Sequence, residues 1–217
     1  SFGTSIAISK DTMVIGAINE DGLDDGTQND SGAAYVYTRN EAGTWKFSAK
    51  LKANNLGSTD KFGRSVAIDG DTIVVGAVSE DGSATTVNGT DNDAASEAGA
   101  AYVFERSASG TWSQTAYLKG SHLMANHSFG NAVAISKDTI VVGACSDDTT
   151  VTGSGAVYVF TRSSSTWEEQ AFLKADILEA NDQFGYSVAI DEDTLVIGAL
   201  NENGSAIEVN GLDDNDA

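Results

Sequence analysis

The side chains best equipped for chemistry are carboxylates. Asp21, Asp24, Asp25, Asp91, Asp93, Asp147, Asp148, Asp213 and Asp214 crowd four acidic segments. Carboxylates and carbonyls on such loops are what Ca²⁺ takes, roughly six to eight oxygens at a time. The segments run "NEDGLDDGTQND" from Asn19, "SEDGSATTVNGTDNDAASE" from Ser79, "SDDTTVTGS" from Ser146 and "NENGSAIEVNGLDDND" from Asn201. None completes the spacing of a calcium loop, and solvated Asp-Asn-Gly turns share the composition. The nine aspartates therefore stand as calcium candidates, and no cofactor is expected.

Other reactive groups are few. His122 and His127 lie five apart in "GSHLMANHS" with Met124 between them; a metal pair there lacks a third ligand nearby, so the segment reads as a surface loop. Cys145 fills the slot held elsewhere by Ile18, Val78 and Leu200, which makes it a small core hydrophobe. With no second cysteine, no internal disulfide forms. Asn29, Asn88, Asn126 and Asn203 each begin an Asn-x-Ser/Thr acceptor, which permits N-glycosylation. No Ser-His-Asp set, paired-carboxylate cleft or phosphate cradle stands out, and no catalytic activity is expected.

Those residues hang on a repeated framework. "FGRSVAIDGDTIVVGA" from Phe62 returns as "FGTSIAISKDTMVIGA" from Phe2, "FGNAVAISKDTIVVGA" from Phe129 and "FGYSVAIDEDTLVIGA" from Phe184. The spacings are 60, 67 and 55 residues, so a repeat architecture comes first in any reading. Each phenylalanine is followed by a glycine, Gly3, Gly63, Gly130 or Gly185, and fourteen residues later by another, Gly16, Gly76, Gly143 or Gly198. The variation in length falls between the Gly-Ala and the next run.

Every unit reads as four short strands rich in β-branched and aromatic residues. In the second unit strand A is "SVAI" at 65–68 and strand B is "TIVVGA", whose unbroken apolar run implies cover on both faces. Strand C is "AAYVFER" from Ala100. Strand D, "TWSQTAYLK", sets Trp112, Gln114, Ala116 and Leu118 against polar partners, the alternation of an outer strand half in water. Such sheets cannot bury themselves alone and must stack on copies of themselves, which describes β-propeller blades. Blades are expected at 2–61, 62–128 and 129–183, with a partial one at 184–217, all in one all-β domain. Phe2, Phe62, Phe129 and Phe184 are expected to wedge between adjacent blades, with glycines allowing close backbone approach.

With "FG" followed by "GA", then "GAAYVF", "W" and "LK", the chain resembles the FG-GAP repeat family, the blade type of integrin α-subunit propellers and of many secreted bacterial and algal proteins. The resemblance covers three complete repeats and the front half of a fourth. It departs in two ways: the family's proline after Gly-Ala is replaced by Ile18, Val78, Cys145 and Leu200, and the A to B turns, "SKDT", "DGDT", "SKDT" and "DEDT", are too short for the integrin calcium loop. The resemblance thus points to the branch lacking that loop.

Composition narrows the partners. Thirty-two acidic against 12 basic residues give a formal charge of −20, which repels phosphate backbones and anionic lipid, so neither nucleic acid nor membrane insertion is expected. No stretch reaches the ~18 apolar residues that cross a bilayer, and Ser1 opens directly in a repeat. Twenty-three glycines accompany no proline, where average usage predicts about eleven prolines, so other residues must stiffen the turns. The last residues, "GLDDNDA", stop inside a loop, so the chain reads as a piece of a longer polypeptide.

Alternating strand direction places the A to B and C to D turns on one face and the longer B to C and D to A loops on the other. Variable loops on a rigid scaffold are where binding is usually placed. The expected function is a secreted or cell-surface module binding a protein or glycan through the acidic loop face. One alternative is a structural subunit of a surface layer, fibre or larger assembly, because an open sheet edge recruits the rest of its own propeller or neighbouring copies. Another is the scaffold of a secreted enzyme.

Overall fold

The computed structural model describes residues 1–21, 29–55 and 57–203. Its strands are β1 Ile6–Ser9, β2 Thr12–Ala17, β3 Ala33–Arg39, β4 Trp45–Leu51, β5 Phe62–Asp69, β6 Thr72–Ala77, β7 Ala100–Arg106 and β8 Trp112–Leu118. They continue as β9 Phe129–Ser136, β10 Thr139–Ala144, β11 Ala156–Ser163, β12 Thr166–Leu173, β13 Phe184–Asp191 and β14 Thr194–Ala199. Among the described residues there is no helix, and so none long and apolar enough to cross a membrane.

These strands form antiparallel sheets in the orders β1-β2-β3-β4, β5-β6-β7-β8 and β9-β10-β11-β12, followed by a two-stranded β13-β14. We refer to them as units 1 to 4. Neighbouring sheets meet chiefly along β1, β5, β9 and β13, so the sheets splay outward from a shared inner edge. The arrangement is the all-β, four-stranded blade architecture of a partial propeller, and the sheets do not close into a ring.

Period-two alternation sorts each strand's residues into two interfaces. Val66 and Ile68 of β5, Ile73 and Val75 of β6, and Tyr102 and Phe104 of β7 pack on Val14, Ala34 and Val36 of unit 1. Val74, Ala101 and Val103 turn the other way, onto Phe129, Ile140, Val142 and Tyr158 of unit 3. This is why β6 is buried along its whole length. Phe62 and Phe129 are the wedges: both are 0% exposed, and each ring meets two aromatics of its own β7 or β11 edge-on or tilted. Phe2 is 61% exposed, because the described residues place no sheet before unit 1.

Close approach at each junction depends on glycine. A Cβ on Gly16, Gly76 or Gly143 would overlap the carbonyl oxygen of Gly63, Gly130 or Gly185 in the next unit. Those partner glycines have φ of 93°, 83° and 86°, a region side chains rarely enter. The Ser5 hydroxyl donates to the Gly63 carbonyl at 2.9 Å, and Ser65 donates to Gly130 at 2.8 Å.

Strand D departs from simple alternation. Val103 pairs with Ala116 and Phe104 with Gln114, leaving Thr115 as an extra residue. That bulge flips the phase: Trp112 and Tyr117 pack toward unit 1, whereas Ala116 and Leu118 pack toward unit 3. The expected single face of Trp112, Gln114, Ala116 and Leu118 is therefore wrong. Ser48 and Gln170 are skipped in the same way in the other complete sheets.

Candidate functional site

The two faces differ in chemistry. On the face of the A to B and C to D turns, an arginine ending strand C closes onto an aspartate in the A to B turn. Arg39 reaches Asp11 at 2.8 Å, Arg106 reaches Asp71, and Arg162 reaches Asp138 at 2.7 Å. Each guanidinium also lies over the tryptophan that opens strand D, at 5.5 Å for Trp45, 5.4 Å for Trp112 and 5.1 Å for Trp167. These are clamps between two hairpins, and their charges are already used.

On the opposite face, each B to C loop begins with an acid three residues beyond the Gly-Ala: Glu20, Glu80 or Asp147. The lysine ending strand D comes back to meet it. Lys119 donates to Glu80 at 2.8 Å and to the Gly99 carbonyl at 2.7 Å, while Tyr117 donates to Glu80 at 2.6 Å, all buried. Burial pushes the Glu80 carboxyl up and the Lys119 ammonium down from their ordinary values, so desolvation works against both charges. In unit 1 the roles are split: Lys50 takes Glu20 at 2.6 Å, and Lys52 holds the Asp21 and Gly32 carbonyls. Burial brings Lys52 down to about 8. Lys174 reaches Asp147 at 2.7 Å.

Two residues before the wedge phenylalanine lies a second repeated position, Asp60, His127 or Asp182, buried in every case. Asp60 accepts the Gly57 N–H at 2.8 Å; burial, with Glu80, Asp81 and Asp91 adding repulsion, raises its carboxyl to about 7. His127 instead sits between two carboxylates, Nδ1 at 3.1 Å from Asp147 and Nε2 at 2.8 Å from Asp148. Burial opposes its charge, but the hydrogen bonds to Asp147 and Asp148 outweigh that and hold the imidazole above its usual range. Burial likewise opposes ionisation of Asp147, and bonds from His127, Lys174 and Thr149 hold it well below the carboxylate range. His127 is thus a buried structural residue, correcting its reading as surface loop. His122 is exposed and stacks on Phe172 at 4.4 Å.

The long loop of unit 2 also walls a recess on the flank between units 2 and 3. The Asn88 N–H donates to the Tyr117 carbonyl at 2.8 Å, and its Oδ1 accepts the Tyr117 N–H at 2.9 Å. The loop so covers the open edge of β8, and Val87 packs on the core between units 2 and 3. Between residues 85–88 and the start of β12 lies a groove of about 480 Å³. Thr85, Thr86, Asn88, Ser121, Thr166 and Glu168 line it, a mixture of donors and acceptors.

The described aspartates among the candidates are engaged separately. Asp21 accepts the Asp30 N–H at 3.3 Å, Asp91 accepts the Asn55 amide at 2.8 Å, and Asp93 occupies a turn with φ 49°. Asp147 and Asp148 are brought together, yet on opposite edges of the His127 ring, where they cannot share an ion with it. Among the described residues no three His, Cys, Asp or Glu side chains converge on a metal position. Asp24, Asp25, Asp213 and Asp214 lie outside the described residues. Asn29, Asn88, Asn126 and Asn203 are exposed, and Cys145 is buried, its thiol raised by desolvation.

Four successive copies of this blade pattern decide the family. A family model described as FG-GAP repeat matches residues 1–37, 45–104, 112–160 and 167–213. The chain belongs to the FG-GAP repeat family. Its FG-GAP repeats are those of an integrin-like β-propeller module, a repeat type found in extracellular and surface proteins generally. Comparison with curated proteins found no match.

The charge pairs were missed from the sequence, although a signal was present. An acid at a fixed distance after every Gly-Ala and a lysine at every strand D end are both periodic.

Proposed function

We propose that this FG-GAP module is a binding domain, secreted or on the cell surface, that presents the face of its B to C and D to A loops to a protein or glycan. In this reading it carries no catalysis and needs no cofactor. The observation supporting it is the groove of about 480 Å³ walled by the long loop of unit 2, the D to A loop at Ser121 and strand β12. The exposed hydroxyls of Thr85, Thr86 and Thr166 and the exposed Glu168 carboxylate line it. The acidity of the chain favours neutral or basic ligands over anionic ones.

The test is to screen the immobilised chain against neutral oligosaccharides and extracellular matrix proteins, then repeat it with Thr85→Trp and Thr86→Trp, which fill the groove from exposed positions. Retained melting temperature with binding weakened about tenfold or more supports the reading. No binding in the screen, or binding unchanged by both substitutions, overturns it.

A further inference from the structure

The three lysine–acid pairs on the loop face share one repeated position and differ in their surroundings. In unit 1 the Lys50 and Glu20 side chains are each 33% exposed, and the Lys50 hydrogen bond holds the carboxyl below its ordinary range. In unit 3 burial opposes the charge of Asp147, but bonds from His127, Lys174 and Thr149 keep it ionised. In unit 2 the Lys119 and Glu80 side chains are 0% and 2% exposed. Among the described residues their further hydrogen-bond partners are the Tyr117 hydroxyl and the Gly99 carbonyl, neither of which carries a charge.

The unit 2 pair is also set as two reactants would be. Lys119 Nζ lies 2.8 Å from Glu80 Oε2, and the Gly99 carbonyl accepts another of its N–H groups at 2.7 Å. Glu80 Oε1 accepts the Tyr117 hydroxyl at 2.6 Å, the place from which a donor stabilises an oxygen that gains negative charge when the carboxyl carbon is attacked. Burial favours the uncharged amine, which is the nucleophile, and the uncharged acid, which is the electrophile. Groups held in contact react without the entropy cost of an encounter. Lys119 also lines the groove, which gives a released water a way out.

We propose that Lys119 and Glu80 condense into a side-chain amide that ties the end of strand D to the start of the unit 2 B to C loop. The Nζ lone pair forms the new bond to Cδ of Glu80. One amine proton passes to Oε2, which leaves as water, and Oε1 becomes the amide oxygen, still accepting from Tyr117. The step consumes no oxidant, reductant or cofactor. The carboxyls of Glu20 and Asp147 stay ionised and resist attack, so one such bond forms among the three pairs. It spans 39 residues of chain and encloses the groove wall at 85–88, whether or not the groove holds a ligand.

The test is the intact mass of the full chain, left folded at neutral pH and then denatured for electrospray. Most molecules of the unsubstituted chain are expected to be lighter than the sequence by one water. Trypsin should release a branched peptide in which 65–106 is joined to 107–137 through Glu80 and Lys119. Lys119→Arg keeps a cation beside Glu80 but replaces the amine with a guanidinium that stays protonated, so the full mass should return. The full sequence mass in most unsubstituted molecules overturns the proposal, and that measurement needs no variant to fold. A lost water that maps elsewhere, for example to ring closure at Asp81-Gly82, or that persists in Lys119→Arg, overturns it as well.

Discussion

The junction between units 1 and 2 and the junction between units 2 and 3 share a backbone and differ in one side chain. In both, the carbonyl two residues before the wedge phenylalanine accepts an N–H from the start of the next B to C loop, Ser79 to Asp60 at 3.2 Å and Ser146 to His127 at 3.3 Å. At Asp60 a buried carboxyl faces the field of other carboxylates; at His127 a buried imidazole bridges two of them. The first junction holds its acid most easily when neutral. The second holds its base most easily when charged. A repeat can therefore keep one hydrogen-bond frame and reverse the electrostatics inside it.

The widest separation between the junctions is expected from their lysines. Lys119→Met leaves Glu80 buried with only Tyr117, and should lower unfolding free energy by about 3 to 5 kcal/mol in urea titration. Lys174→Met leaves Asp147 with His127 and Thr149, so its loss should be smaller, about 1.5 to 3 kcal/mol, the worth of one hydrogen bond to a charged group. Equal losses would erase the distinction. Next comes His127→Asp, which makes the second junction resemble the first by placing a third carboxylate beside Asp147 and Asp148. About 2 to 3 kcal/mol should disappear at neutral pH and partly return on acidification. Asp60→Asn is smaller and opposite in sign: it keeps an acceptor for Gly57 and removes a disfavoured charge, so above pH 7 it should stabilise by about 1 kcal/mol, allowing for screening by water.

The pH profile of the unsubstituted chain sharpens the same contrast. Asp60 rises from an ordinary 3.8 to about 7 in the fold, so the folded form binds the proton more tightly and stability falls as pH climbs between those values. His127 also lies above its ordinary 6.5; its contribution is complete below that value and is lost as pH rises through the folded one. Asp147 lies below its ordinary 3.8, so its contribution is present above that pH and lost as pH falls. Thermal melts should give a maximum on the acidic side of neutral, at about pH 4 to 6. A maximum near pH 8 would contradict both assignments.

Much of the architecture was legible. The continuous apolar run of "TIVVGA" could only be a strand covered on both faces, and the alternation of Tyr102 and Phe104 with Ala101 and Val103 fixed which side of β7 meets which neighbour. The bulge at Thr115 was not legible, because a skipped residue leaves the spelling of an alternating strand intact and only the partner strand reveals the slip. His127 was misread for a related reason. Judged alone it is a polar residue in a loop; judged against Asp60 and Asp182 it occupies a repeated buried position. The lysine–acid pairs needed two periodic signals read together, far apart in sequence. The groove depends on how the 79–99 segment folds back onto β8, which no local pattern encodes.

The skipped residues in the outer strands have a consequence for solubility. Ser48, Thr115 and Gln170 each interrupt the even comb of amide and carbonyl groups along β4, β8 and β12. A foreign peptide laying itself along that comb would find its spacing broken midway, and templated fibril growth requires an uninterrupted one. The rims at β4 and β12 thereby face solvent while offering no straight seam for amyloid to start from, and that of β8 is further covered at Tyr117 by the unit 2 loop.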